Sequence, residues 1–311
     1  MVSFFTFLSG MNMQNARSGK IPALEFGSYL PNLDSDVAHY PCLSSLQAVF
    51  QPAENKKLIY LAIFHTSDIK GNVAQRIEEV IKKETPDLCI LEGFETWQGL
   101  NPERIITLAK ERISTSICAD NLYAAFICNK YGINFMGGEV DDANGALPLL
   151  FQRGHTLQDI VFYMLIQQIP FWHKDNMVKK DAIKSQFEQF MNEQVASWFK
   201  VIINYTYEDF LAWYMKHMKK AYNVEQDLLW DNGKSTELRA YRGAGATICQ
   251  RIAADIMNIR DNHIIKVIQQ AMLEHKKVVA IFGTCLTGGH YLWQKKALIS
   301  FLGQPLSEST F

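Results

Sequence analysis

Four apolar runs in this sequence end in residues that can move a proton or hold a cation. KLIYLAIF (57–64) is followed by His65, Thr66, Ser67 and Asp68, and DLCILEG (87–93) carries Glu92, with Glu95 close behind. GINFMGGE (132–139) ends in Glu139, with Asp141 and Asp142 next, and KKVVAIFG (276–283) leads through a Gly-rich turn to His290. Two imidazoles and two carboxylates suit a divalent transition metal. They suit equally a metal-free hydrolysis in which a histidine is the base and carboxylates orient it. Clustered carboxylates repel unless a metal, an Arg or protons offset them, and Arg260 in NIRDNHI (258–264) is an available cation. Glu92 stands out, because a carboxylate directly after a buried strand is costly without a partner. Blander roles also fit: a single histidine after a strand is more often a structural hydrogen-bonder, and Arg260 with Asp261 suits a solvated helix face. Cys285 in FGTCLTGG has no adjacent basic residue to activate it as a nucleophile. The same turn can cradle an anion on backbone N–H groups, but no Gly-Lys-Ser/Thr follows to make it a Walker loop.

These residues converge only if their strands are parallel neighbours. The runs are apolar without alternation, as in strands buried on both faces of a parallel sheet. Between the first two, Val73, Ile77, Val80 and Ile81 fall at helical spacing until Pro86 ends the helix (72–84). Helices are expected over 102–115 and 119–130, over 246–274 with a break near 258–261, and over 292–301. Strand–helix–strand alternation predicts an α/β fold with a mostly parallel central sheet flanked by helices, and ligands bind at the carboxyl edge of such sheets. Residues 1–55 read as irregular, broken by Pro22, Pro31, Pro41 and Pro52.

The middle of the chain differs. From 148 to 245 we expect a helical insertion or cap, set into an α/β core of 1–147 and 246–311. Its aromatic and apolar residues (Ile160, Tyr163, Phe187, Phe190, Phe210, Trp213, Tyr214) fall at helical spacing and read as helix core, not as a cofactor box with His217 as ligand. The polar stretch 223–245 suits a loop at the mouth of a site.

The whole chain has 311 residues, 48% hydrophobic and 20% charged, the balance of an ordinary globular protein rather than a disordered one. Its net charge of -1 gives no reason to expect nucleic acid or an anionic membrane as partner. No apolar run approaches the roughly 18 residues of a transmembrane helix. The six scattered cysteines form no CxxC pair and read as free thiols of a reducing compartment. The short apolar run from Val2 to Leu8 has no basic residue before it and makes a poor signal peptide, so a cytoplasmic location is expected, with a secreted effector or atypical export as the alternative.

A strand ending in His, then PDLCILEG, GGE, RDNHIIKVI and VVAIFG before a His-bearing turn, resembles the TraB/GumN–Tiki and erythromycin-esterase/ChaN-like superfamily over 57–95, 132–142 and 258–304. The resemblance puts the family's first Gly-x-x-His histidine on His65, with Ala62 in the Gly slot. It puts the two acidic positions on Glu92 and Glu139, and the helix arginine on Arg260. The second Gly-x-x-His histidine falls on His290, with Thr287 in the Gly slot, when aligned from the downstream helix, and on Leu286 when aligned from Gly283. Members include metal-dependent proteases, metal-independent macrolide esterases and a haem-associated protein, so the scaffold does not fix the reaction. The resemblance implies a hydrolase of a peptide or ester bond in a small-molecule or peptide substrate. His65, Glu92, Glu139 and His290 would be acid–base groups or ligands of Mn, Co or Zn, and Arg260 would hold a substrate carboxylate or stabilise developing charge. The alternatives are a non-catalytic protein binding a small ligand or haem, and an interaction or effector protein whose exposed aromatics grip a partner. The helical middle would serve as a cap, a homodimer interface or both.

Overall fold

The computed structural model describes residues 45–95, 101–115, 118–140, 146–174, 182–199, 203–228, 245–284 and 289–311. These fall into two compact units, one built from Ser35–Asp141 with Arg260–Phe311 and the other from Asp142–Ile259.

The first unit is a sheet with helices on both faces. Its strands are β1 (Leu46–Ala53), β2 (Lys56–Phe64), β3 (Leu88–Glu95), β4 (Asn134–Glu139), β5 (Lys277–Thr284) and β6 (Ser307–Thr310). They lie in the order β4-β3-β5-β2-β1-β6. The four strands expected from the apolar runs are parallel neighbours. The antiparallel strands β1 and β6 extend the sheet beyond β2. Strand β1 corrects the reading of 1–55 as irregular throughout: LQAVFQPA alternates only weakly, and it becomes a strand by hydrogen-bonding to β2.

The unbroken apolar runs follow from burial on two faces. Ile59, Leu61 and Ile63 of β2 pack with Cys89 and Leu91 of β3 and Val279 and Ile281 of β5. Over them lie α1 (Asn72–Glu84), α2 (Pro102–Ser114) and α3 (Asp120–Lys130). On the opposite face Leu58, Tyr60, Ile90, Val278, Ala280 and Phe282 meet Ile264, Ile268 and Leu298. Each Val, Leu, Ile or Phe among them contributes about 1.5–3 kcal/mol on burial. Helix α1 stops where Thr85 takes φ 43 and Pro86 follows, as the sequence requires. At the start of α2, Asn101 accepts the Arg104 N–H at 3.0 Å and Pro102 takes the first turn.

The second unit is helical, with α4 (Leu147–Gln152), α5 (Leu157–Lys174), α6 (Ile183–Gln189), a π-helical stretch (Phe190–Val195), α7 (Ala196–Phe199) and α8 (Tyr207–Met218). Its aromatic stripe is core: the Phe162 ring lies 5.7 Å from Phe210, 5.5 Å from Trp213 and 6.4 Å from Phe187. His217 packs on Trp213 and faces the Asp159 carboxylate at 3.7 Å. Helix α9 (Ile248–Glu274) runs without the expected break, and its residues from Arg260 onward belong to the first unit. Helix α10 (Gly289–Leu302) starts three residues before the expected 292. No helix among the described residues is long and apolar enough to cross a membrane. Cys89, Cys118, Cys128 and Cys249 are buried and form no disulfide.

Phe282 is fully buried and stacks on Tyr60 at 5.8 Å between centroids. Phe282→Ala should cost about 3–5 kcal/mol of unfolding free energy, measured by urea titration with an unchanged m-value.

Candidate functional site

The parallel strands deliver their polar ends to one edge. The register sets Ile63 beside Gly283 and Phe64 beside Thr284, so His65 leaves β2 next to the end of β5. On β3 the pairing with β4 runs from Leu91–Gly137 directly to Glu95–Glu139, so Glu92, Gly93 and Phe94 form a bulge. Bulges re-aim side chains at sheet edges. Gly93 adopts φ +82, and a Cβ there would lie 2.4 Å from the Asn121 amide nitrogen, so glycine is required twice over. That amide donates to the Glu92 carbonyl at 3.3 Å and ties the bulge to α3.

Around this edge a chain of charges forms. Arg260 of α9 donates from Nε to Glu139 Oε2 at 2.9 Å and from Nη2 to Glu139 Oε1 at 2.5 Å. The same Nη2 donates to Glu92 Oε1 at 3.0 Å. The Gly283 backbone N–H donates to Glu92 Oε2. His65 stands between two carboxylates, with Nδ1 2.9 Å from Asp120 Oδ2 and Nε2 3.5 Å from Glu92 Oε2. Asp120 is 6% exposed and also accepts the Thr66 N–H on Oδ2 and the Asn121 N–H on Oδ1, so its oxygens point at the ring from a fixed position.

The electrostatics follow from these contacts. Burial pulls the His65 pKa down, but its hydrogen bond to Asp120 and the charges of Glu92 and Asp120 outweigh it, and the pKa lies above the usual histidine value. Burial likewise opposes the Arg260 charge, yet Glu139, Glu92 and Asp261 raise its pKa further. Burial dominates at His263, whose pKa falls despite the nearby Glu139. Behind the site a buried relay runs from the Tyr60 hydroxyl to Gln294 Oε1 at 3.1 Å and from Gln294 Nε2 to Asp261 Oδ1 at 2.8 Å.

Of the residues expected from sequence, His65, Glu92, Glu139 and Arg260 lie together. His290 is the second residue of α10, and its side chain lies outside the described residues, as do Cys285, Leu286, Thr287, Asp141, Asp142 and the Glu95 side chain. Asp261 faces Gln294, so it does not lie on a solvated helix face. Asp120 was missed: in CADNLYAAF it reads as an ordinary acidic residue opening a helix, and its orientation toward His65 depends on how α3 packs.

The carboxylates of the expected ligand set are already engaged within the chain, and the His290 side chain lies outside the described residues. Among the described residues no group of three or more His, Cys, Asp or Glu side chains is placed to hold a metal ion. Each oxygen of Glu92, Glu139 and Asp120 already accepts an N–H or faces the His65 ring. What the arrangement can do is hold one imidazole, a third exposed, in a fixed tautomer beside a second carboxylate. Neither a protein-family model nor a curated protein matches the sequence.

Gly283 is where the ring rests on the sheet: a Cβ would lie 2.1 Å from His65 Nε2, 2.6 Å from Cε1 and 2.8 Å from Glu92 Oε2. Gly283→Ala should therefore shift the His65 ring resonances and change its titration while far-UV circular dichroism stays unchanged. In the parent, the raised His65 pKa adds stability that is complete below about pH 6.5 and lost as pH rises through the folded value. Asp120→Asn should lower that pKa and flatten the pH dependence, read by histidine NMR and urea midpoints across the same range.

Proposed function

We propose that the α/β unit is a hydrolase in which His65, oriented by Asp120, is the general base at an ester or peptide carbonyl. The observation that carries this reading is the Asp120–His65 pair at 2.9 Å on the carboxyl edge of a parallel sheet, with the ring part-exposed. Its other support is the resemblance of the strand-end motifs to the TraB/GumN–Tiki and erythromycin-esterase superfamily.

The chemistry follows from the geometry. Asp120 accepts the Nδ1–H, which leaves Nε2 to take a proton. Nε2 accepts that proton from water as its oxygen bonds to the substrate carbonyl carbon. The imidazolium then returns the proton to the leaving oxygen or nitrogen as the bond to carbon breaks. Asp120 and Glu92 both stabilise the cation while it exists. Arg260 is a positioning residue in this scheme, because its fork fixes Glu92 and Glu139.

A panel of nitrophenyl esters and quenched fluorescent peptides tests the reading. His65→Ala should abolish turnover, and Asp120→Asn should lower kcat by about 10²–10⁴-fold with little change in KM. The parent kcat/KM should rise with pH through the raised His65 pKa, since the base must be neutral, and this limb should move to lower pH in Asp120→Asn. Unchanged turnover in a folded His65→Ala variant sinks the assignment. No turnover of any panel member by the parent would favour the ligand-binding alternative.

A further inference from the structure

Two carboxylates brought this close repel unless a cation or a proton lies between them. In this site the cation belongs to the chain. Arg260 is 12% exposed and reaches both oxygens of Glu139 and one of Glu92. We propose that Arg260 is a built-in substitute for a divalent metal, and that it keeps Mn, Co and Zn out of a carboxylate pair that would otherwise bind them. The inference concerns the same site as the hydrolase reading but does not need that reading, because its test measures binding rather than turnover.

The argument is one of occupancy and charge. A transition metal takes carboxylate oxygen at about 2.0–2.2 Å, so it must reach lone pairs now directed at N–H groups. The guanidinium fork is planar and matches Glu139 with two parallel contacts, which a point cation does not reproduce. A metal entering between Glu92 and Glu139 would also meet a guanidinium that the neighbouring carboxylates keep charged despite its burial, a like charge with little water to screen it. Arg260 cannot easily swing away, because the same helix is anchored one residue later, where the buried Asp261 accepts from Gln294. On the other side of the pair, Gly283 N–H holds the second oxygen of Glu92, and Gly93 N–H approaches Glu139 Oε1 at 3.5 Å. Both carboxylates are thus pre-aimed at the position of the guanidinium. Removing it exposes two aimed carboxylates, with the His65 ring at 3.5 Å from one of them.

Isothermal titration of the full chain with MnCl₂, CoCl₂ or ZnCl₂, together with metal analysis of the purified protein, tests the inference. The parent should show no stoichiometric binding. Arg260→Ala should bind one equivalent at least about tenfold more tightly than the parent, with a melting temperature that rises on addition of metal. Glu139→Gln in the Arg260→Ala background should abolish that gain. Arg260→Lys keeps a cation in place and should bind no metal. If Arg260→Ala is unfolded alone, Mn²⁺ or ethylguanidinium should restore its cooperative melt. The inference is overturned if the parent holds one equivalent of metal that is lost in Glu92→Gln or Glu139→Gln. It is overturned equally if a folded Arg260→Ala gains no metal binding, or if neither cation restores an unfolded one.

Discussion

The Arg260 fork is the contact on which the rest of the site depends. Glu92 and Glu139 arrive on adjacent strands, both aimed at the same small volume, and the parallel sheet gives them no means of separating. A single guanidinium reconciles them through three hydrogen bonds. A cation this buried is expensive to desolvate and becomes favourable only when its donors are satisfied and its charge is matched. Here the match exceeds one for one, and the second imidazole nitrogen of His65 faces the surplus negative charge from 3.5 Å. Burial pulls the His65 pKa down, but its hydrogen bond to Asp120 and the charges of Glu92 and Asp120 raise it on balance.

Much of this was legible in the sequence, for a physical reason. Strands buried on both faces cannot alternate, so KLIYLAIF, DLCILEG and KKVVAIFG announce a parallel sheet, and a polar residue just beyond such a run lies at its edge. That logic reaches His65, Glu92 and Glu139. It reaches Arg260 only as a candidate counter-charge, because RDN within a helix says nothing of which face it lies on. Asp120 was out of reach, since nothing in CADNLYAAF distinguishes a carboxylate turned toward a strand end from one completing a helix start. Strand β1 was hidden by Pro52 and its weak pattern, and β6 (SEST) has no apolar residue at all. β1 buries Ala48 and Phe50 as well as pairing with β2, whereas β6 exists through its pairing with β1 alone.

The bulge at Glu92–Phe94 shows how a regular sheet yields an irregular site. Between Leu91 and Glu95 the chain uses more residues than β4 does over the same rise. The excess lets Glu92 meet both Arg260 and Gly283 while Glu95 rejoins the ladder. Gly93 permits the positive φ, and Asn121 fills the space where a side chain would stand. Two glycines, at 93 and 283, thus define the room in which the charged groups meet.

The strand order has a consequence for the making of the protein. Strand β5 lies between β2 and β3, yet more than a hundred residues of helical unit precede it in the chain. As the polypeptide emerges during synthesis, β2, β3 and β4 appear first, with the central position vacant and two glutamates lacking their counter-charge. Only when 260–284 has emerged do Arg260 and β5 arrive, almost together, one to neutralise the carboxylates and the other to close the ladder. Closure of so non-local a pairing is slow, and until then the edges of β2 and β3 are open to any strand that presents itself. A central strand encoded after the helical unit leaves the facing edges of β2 and β3 unpaired until that unit has been made.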